Sequence, residues 1–174
     1  MKKSLLLFVL LGCLNTNAQI QRRLYEQRLG ESDLNNLFQT AQNRGLTVNR
    51  VTDISFEIDN VTFANYNWDN ARFKYFNNKL QSVLFIKTVN NRIQIEKDAL
   101  FEIFKHLDES LYNKYGNYLT KRDDEYFPFV LYNDGKTIVK IMLTEMKDLK
   151  IDELWLEYID EELTELENQE SDDL

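Results

Sequence analysis

The chain has 174 residues, a formal net charge of −8 at pH 7 and 13% aromatic residues, with one cysteine, one histidine, one proline and five glycines. That balance supplies no basic patch to neutralise phosphates and so excludes nucleic acid as a partner. One thiol and one imidazole exclude a zinc or copper centre of the usual ligand sets within the chain, and five scattered glycines leave no phosphate-cradling loop.

Residues 1 to 18 read as a bacterial export signal: Lys2 and Lys3, an unbroken apolar run from Leu5 to Leu11, then a small and polar stretch that runs into Gln19. The run is about a third of the ~20 residues a spanning helix needs, so it does not serve as a permanent anchor, and no later stretch comes closer. Two processing routes fit. A cut after Ala18 releases a soluble protein that starts at Gln19, in the periplasm or outside the cell. Alternatively, Leu10-Leu11-Gly12-Cys13 resembles a lipobox, and an acylated Cys13 would anchor the chain to a membrane. The first route removes Cys13, so the mature chain has no disulfide, and the loss of Lys2 and Lys3 takes the net charge to −10.

Residues 19–31 read as an N-terminal arm, with Ile20, Leu24 and Leu29 in either a short helix or a mobile segment. Residues 32–159 read as a single α+β domain. Leu34, Leu37, Phe38 and Ala41 follow helical spacing, with Ser32 as N-cap and Gly45 just past the end. From Arg50 the period becomes two. Ile54 to Ile58, Val61 to Tyr66, Ala71 to Phe76 and Leu80 to Val89 read as four strands, with turns at Asp59-Asn60, Trp68-Asp69-Asn70 and Asn77-Asn78. Such short turns make the strands antiparallel neighbours.

A second helix runs through Leu100, Phe104, Leu107, Leu111 and Tyr115, with Gly116 where a left-handed cap residue sits. Lys121 to Glu125 form a charged loop. Three strands follow: Tyr126 to Tyr132, with Pro128 at its start or an edge, Thr137 to Leu143 after the turn Asn133-Asp134-Gly135, and Leu154 to Ile159. Residues 160–174 carry eight acids and no base, the composition of a solvated acidic C-terminal tail.

The expected architecture is therefore α+β, an antiparallel sheet of about seven strands in the order α-ββββ-α-βββ. Two helices pack on one face and the other face stays open. The runs Phe73 to Val89 and Phe104 to Gly116, with the hairpin and Trp-containing strand that follow, resemble a group of small exported bacterial α+β proteins. The layout is also similar to the beta-lactamase-inhibitor-protein architecture of helix-plus-sheet repeats. That resemblance implies a sheet face that binds a protein. It brings no catalytic residue, and the chain lacks that family's cysteines.

His106, with Glu102 and Ser110 one helical turn away, does not have the geometry of a nucleophile and its base, and reads as a surface residue. Asp53, Glu57, Glu153 and Glu157 alternate with apolar neighbours and read as the solvent face of a half-covered sheet. A cleft holding two of them would instead suit a small hydrolase acting on envelope polysaccharide. The expected reading is non-catalytic, without cofactor or metal. Its partner is another exported or envelope protein, contacted by Trp68, Phe76 and Trp155 with Arg72 and Lys74 at the rim. A lipoprotein subunit of an envelope complex is the third alternative. Alternation places Phe73 and Tyr75 on one face of their strand and Arg72, Lys74 and Phe76 on the other.

Overall fold

The computed structural model describes residues 19–123, 128–146 and 149–172; the expected export signal with Cys13, and residues 124–127 of the expected loop and fifth strand, lie outside the described residues. A two-stranded hairpin, β1 (Arg23–Leu24) and β2 (Gln27–Arg28), opens the fold and is followed by α1 (Leu34–Asn43). Strands β3 (Asn49–Arg50), β4 (Ser55–Phe63), β5 (Tyr66–Phe76) and β6 (Lys79–Asn90) precede α2 (Gln94–Tyr115). Strands β7 (Leu119–Asp123), β8 (Phe129–Asn133), β9 (Thr137–Met146) and β10 (Ile151–Asp160) precede α3 (Glu161–Asp172).

Strands β3 to β10 form one antiparallel sheet of eight strands in the order β3-β4-β5-β6-β10-β9-β8-β7. Each half of the chain supplies a helix and four strands and delivers its last strand to the central β6–β10 pair. The α+β class and the antiparallel sheet follow the expectation. The sheet has eight strands where about seven were expected, and the described chain has three helices where two were expected. The expected strands Ile54 to Ile58 and Val61 to Tyr66 largely merge into β4, and β3 and β7 are additional, the latter in the expected charged loop.

Alternation divides the sheet into two faces. Ala71, Phe73 and Tyr75 of β5 and Leu154, Leu156 and Tyr158 of β10 are buried on the inner face. They join one cluster with Leu37 and Ala41 of α1, Phe104, Leu107 and Leu111 of α2, and Leu24, Tyr25 and Leu29 around the N-terminal hairpin. Each leucine or phenylalanine among them contributes roughly 1.5–3 kcal/mol by leaving water. The expected arm at residues 19–31 is thus part of the core. The left-handed pair Tyr25 and Glu26 (φ 50° and 64°) closes the hairpin, and the buried Gln27 donates to Thr40 Oγ1 at 2.8 Å.

The expected caps need correction. Asp33, not Ser32, caps α1: its carboxylate accepts from the Asn36 amide while Asn36 Oδ1 accepts from the Asp33 amide. Gly116 is right-handed (φ −54°), and the chain tightens into a 3-10 turn through Tyr118 rather than reversing.

Two expected turns lie within strands. Asp59 pairs with Asn70 and Val61 with Trp68, and Asn60 is left-handed at φ 54°. The buried residues are Ile58 then Val61 on β4, and Trp68 then Ala71 on β5. Both strands change phase at the same level, and the polar pairs Asp59-Asn60 and Asp69-Asn70 that mark this kink have the composition of turns. The real reversal is at Ala64 and Asn65, both left-handed (φ 51° and 66°).

The acidic C-terminal segment is helix α3. Asp160 Oδ1 accepts from the Leu163 amide at 2.8 Å and caps its start, and Leu163 is buried.

Candidate docking face

Arg72, Lys74 and Phe76 on β5, Leu84 and Ile86 on β6, and Glu153, Trp155 and Glu157 on β10 alternate with core residues and therefore point to the outer face. On β9 and β8 the same face carries Ile138, Lys140, Met142, Phe129 and Leu131. Register aligns these side chains in rows across the strands. One row is apolar: Ile86 faces Trp155, Trp155 faces Met142, and Met142 faces Phe129. With strands ~4.8 Å apart, this band extends about 14 Å across the sheet. All four side chains come from different strands, so the band belongs to the tertiary fold and to no single segment.

The neighbouring row alternates in charge: Glu57 beside Arg72, then Leu84, then Glu157 beside Lys140, then Leu131 and Lys121. Arg72 Nη2 donates to Glu57 Oε2 at 3.0 Å. Glu157 makes no ion pair among the described residues. Burial pushes its carboxyl above the ordinary range, and the charges of Lys140 and Lys74 partly oppose that shift. At the other side of the band, Trp155 Nε1 donates to Glu153 Oε2 at 2.8 Å, which fixes the indole. Lys121 Nζ lies 5.3 Å from the centre of the Phe129 ring.

Helix α3 closes the opposite margin. Its Glu167 Oε2 accepts from Lys74 Nζ and from Gln81 Nε2, both at 2.7 Å, and Asn77 Nδ2 donates to Glu170 at 3.4 Å. Burial pushes the Glu167 carboxyl up, but the hydrogen bonds from Lys74 and Gln81 and the Lys74 charge outweigh it and hold the group below the ordinary range. Among the described residues, α3 is the only element that these contacts place on the outer face. It covers the end near Lys74 and Ser82 and leaves Trp155, Met142 and Phe129 of the apolar band partly exposed, while Ile86 is buried.

Four of the five residues expected at the partner surface, Arg72, Lys74, Phe76 and Trp155, share this face. Trp68 does not: it is 1% exposed in the core, with Nε1 donating to the Phe63 carbonyl at 3.0 Å. The phase change at Asn60 turned it inward. Lys74 is held by Glu167 beneath α3. Met142, Phe129, Ile86 and Lys140 are not among the residues expected at the partner surface. The alternation of Ile138, Lys140 and Met142 with Val139 and Ile141 held the signal, but only pairing of β9 to β10 sets these residues beside Trp155.

The remaining candidates have local roles. His106 is exposed on α2. Asp53 pairs with Arg50 in the exposed segment before β4. A cleft of about 570 Å³ between Arg22, Arg28, Lys136 and the start of α3 holds Asp160, whose carboxylate is engaged by Arg22 and by the α3 cap. Glu153 and Glu157 share the outer face of β10 with Trp155 between them, which sets their Cα atoms about 13 Å apart. No described helix is long and apolar enough to cross a membrane. Compared with family models, curated proteins and solved structures, the chain matches none.

Proposed function

We propose that this is an exported binding protein, acting without catalysis, that docks another exported or envelope protein on the outer face of its sheet. The observation that carries the reading is the band Ile86–Trp155–Met142–Phe129, a row of large apolar side chains between α3 and Glu153 in which Trp155, Met142 and Phe129 stay partly exposed and Ile86 is buried. A contiguous apolar patch with a charged border is the arrangement in which a partner gains most by excluding water, with the aromatic residues as anchors. The fixed indole of Trp155 loses little freedom on contact.

The test is capture from an envelope extract with the protein as processed by cells. The wild type and a Tyr112→Ala control on the exposed side of α2 retain a discrete partner, and a Trp155→Ala/Phe129→Ala double variant loses it. Equal capture by all three would remove the face from the account. Mass spectrometry of the mature N-terminus separates the routes of export: a chain beginning at Gln19 is the soluble form, and an acylated Cys13 is the anchored one.

A further inference from the structure

We infer, resting on that docking reading, that the outer face takes a second copy of this chain, packed sheet on sheet about a two-fold axis that lies between the faces and runs along the strands, between β9 and β10. Such an axis sets each residue of β10 opposite the β9 residue that pairs with it, and each residue of β6 opposite its row-mate on β8. The rows are self-complementary under that operation. In the apolar row Trp155 meets Met142 of the second copy, and Phe129 comes over the buried Ile86. In the charged row Glu157 meets Lys140, and Leu84 meets Leu131. One row further, Ile159 meets Ile138.

The charges favour a like partner. Arg72 is paired with Glu57 and Lys74 with Glu167, and Asp123 at the β7 edge is engaged as well. What remains is balanced: Lys121 and Lys140 stand with Glu153 and Glu157, without an ion pair among the described residues. A face with both signs in equal measure selects neither a basic nor an acidic occupant. A second copy turned by the two-fold offers each sign where the other stands. Glu157 and Lys140 are cross-strand neighbours that the axis pairs twice, once on each side of it. Lys121 falls opposite Arg72, whose charge Glu57 balances, and one row from Glu167. Glu153 falls opposite Thr144 at the margin, where water remains.

The contacts of α3 lie on the β5–β6 side, where Glu167 accepts from Lys74 and Gln81, so the axis places the second α3 on the opposite side and the two helices flank the contact. Aligned sheets pack at about 30°, so the match is closest at β9 and β10, where Trp155, Met142, Glu157 and Lys140 sit. The face is about 24 Å wide from β5 to β7, and the rows from Glu153 to Ile159 take about 20 Å along the strands. That is the size of a reversible contact rather than an obligate one.

The experiment is sedimentation of the full chain as processed by cells, over a range of concentrations, with thermal unfolding to confirm that each variant is folded. The wild type is expected to form a reversible dimer with a dissociation constant in the micromolar range. Glu157→Lys and Lys140→Glu, each alone, set like charges opposite one another and weaken it at least about tenfold. An equimolar mixture of those two variants restores it, because one copy then carries only positive and the other only negative charge at the paired positions.

A wild type that stays monomeric up to about 1 mM overturns the inference. So does a dimer that neither swap weakens, or one that the mixture fails to restore. Where the wild type is monomeric and Trp155→Ala/Phe129→Ala still loses a partner from the envelope extract, the docking reading stands without a second copy. With neither a dimer nor a capture that depends on Trp155, both fail.

Discussion

Asp160 is 3% exposed and joins three parts of the molecule. Its carboxylate takes the Arg22 guanidinium on one oxygen and the Leu163 amide on the other, while Arg22 also donates to the Leu29 and Lys136 carbonyls. Gly30 lets this pair close. It is left-handed at φ 75°, and a Cβ there would sit 2.6 Å from Asp160 Oδ2 and 2.8 Å from Arg22 Nη2. Gly30→Ala is therefore expected to cost about 2–3 kcal/mol, read as a lower midpoint in urea unfolding. Glu157 gives a prediction of opposite sign. Its folded carboxyl holds a proton more tightly than the ordinary value of 4.5, so its contribution to stability falls as pH rises from that value through the raised one. Glu157→Gln should thus be more stable than wild type at neutral pH, and the difference should vanish below the ordinary carboxylate range; unfolding curves at both pH values check it.

At the scale of elements, turns and helices respond to local chemistry that can be tested directly. Ala64 occupies a left-handed position in a two-residue hairpin whose partner is Asn65. Ala64→Asn should stabilise by about 0.5–1 kcal/mol in thermal unfolding, since asparagine adopts that conformation at less cost. Helix α3 carries its acids without a base, and the hydrogen bonds that Glu167 accepts from Lys74 and Gln81, together with the buried Leu163 side chain, hold it to the sheet. Leu163→Ala should cost about 2 kcal/mol, with hydrogen exchange rising in residues 161–172 and not in β10.

The same elements show what was legible in the sequence. The helical spacing of α2 from Leu100 to Tyr115, the Asn77-Asn78 turn and the faces of β5 at Phe73 and Phe76 could be read because local pattern and tertiary role agree. Three features could not be read, because tertiary contacts decide them. The charged edge strand β7 is stabilised by pairing to β8, the β1–β2 hairpin buries Gln27 against Thr40, and α3 forms against Lys74 and Gln81. The kink at Asn60 defeated the period-two reading because it shifts β4 and β5 together, and with it went the placement of Trp68.

The whole molecule is a sheet with one heavily covered face and one mostly uncovered. The inner face takes α1, α2 and the N-terminal hairpin, so the main core of the domain lies on that side. That division allows the outer rows to combine large apolar residues with opposed charges, a composition suited to recognition more than to packing. The anchor row and the charged row come from both halves of the repeat and meet at the β6–β10 pair, so neither half alone presents the face. Site-specific photo-crosslinking in living cells tests this claim most directly, with a photoreactive residue placed in turn at Met142 and Leu131 on the outer face and at Phe101 and Tyr112 on α2. The account predicts a discrete protein adduct from the first pair and none from the second. Adducts from α2 alone, or equally from both sides, would contradict it.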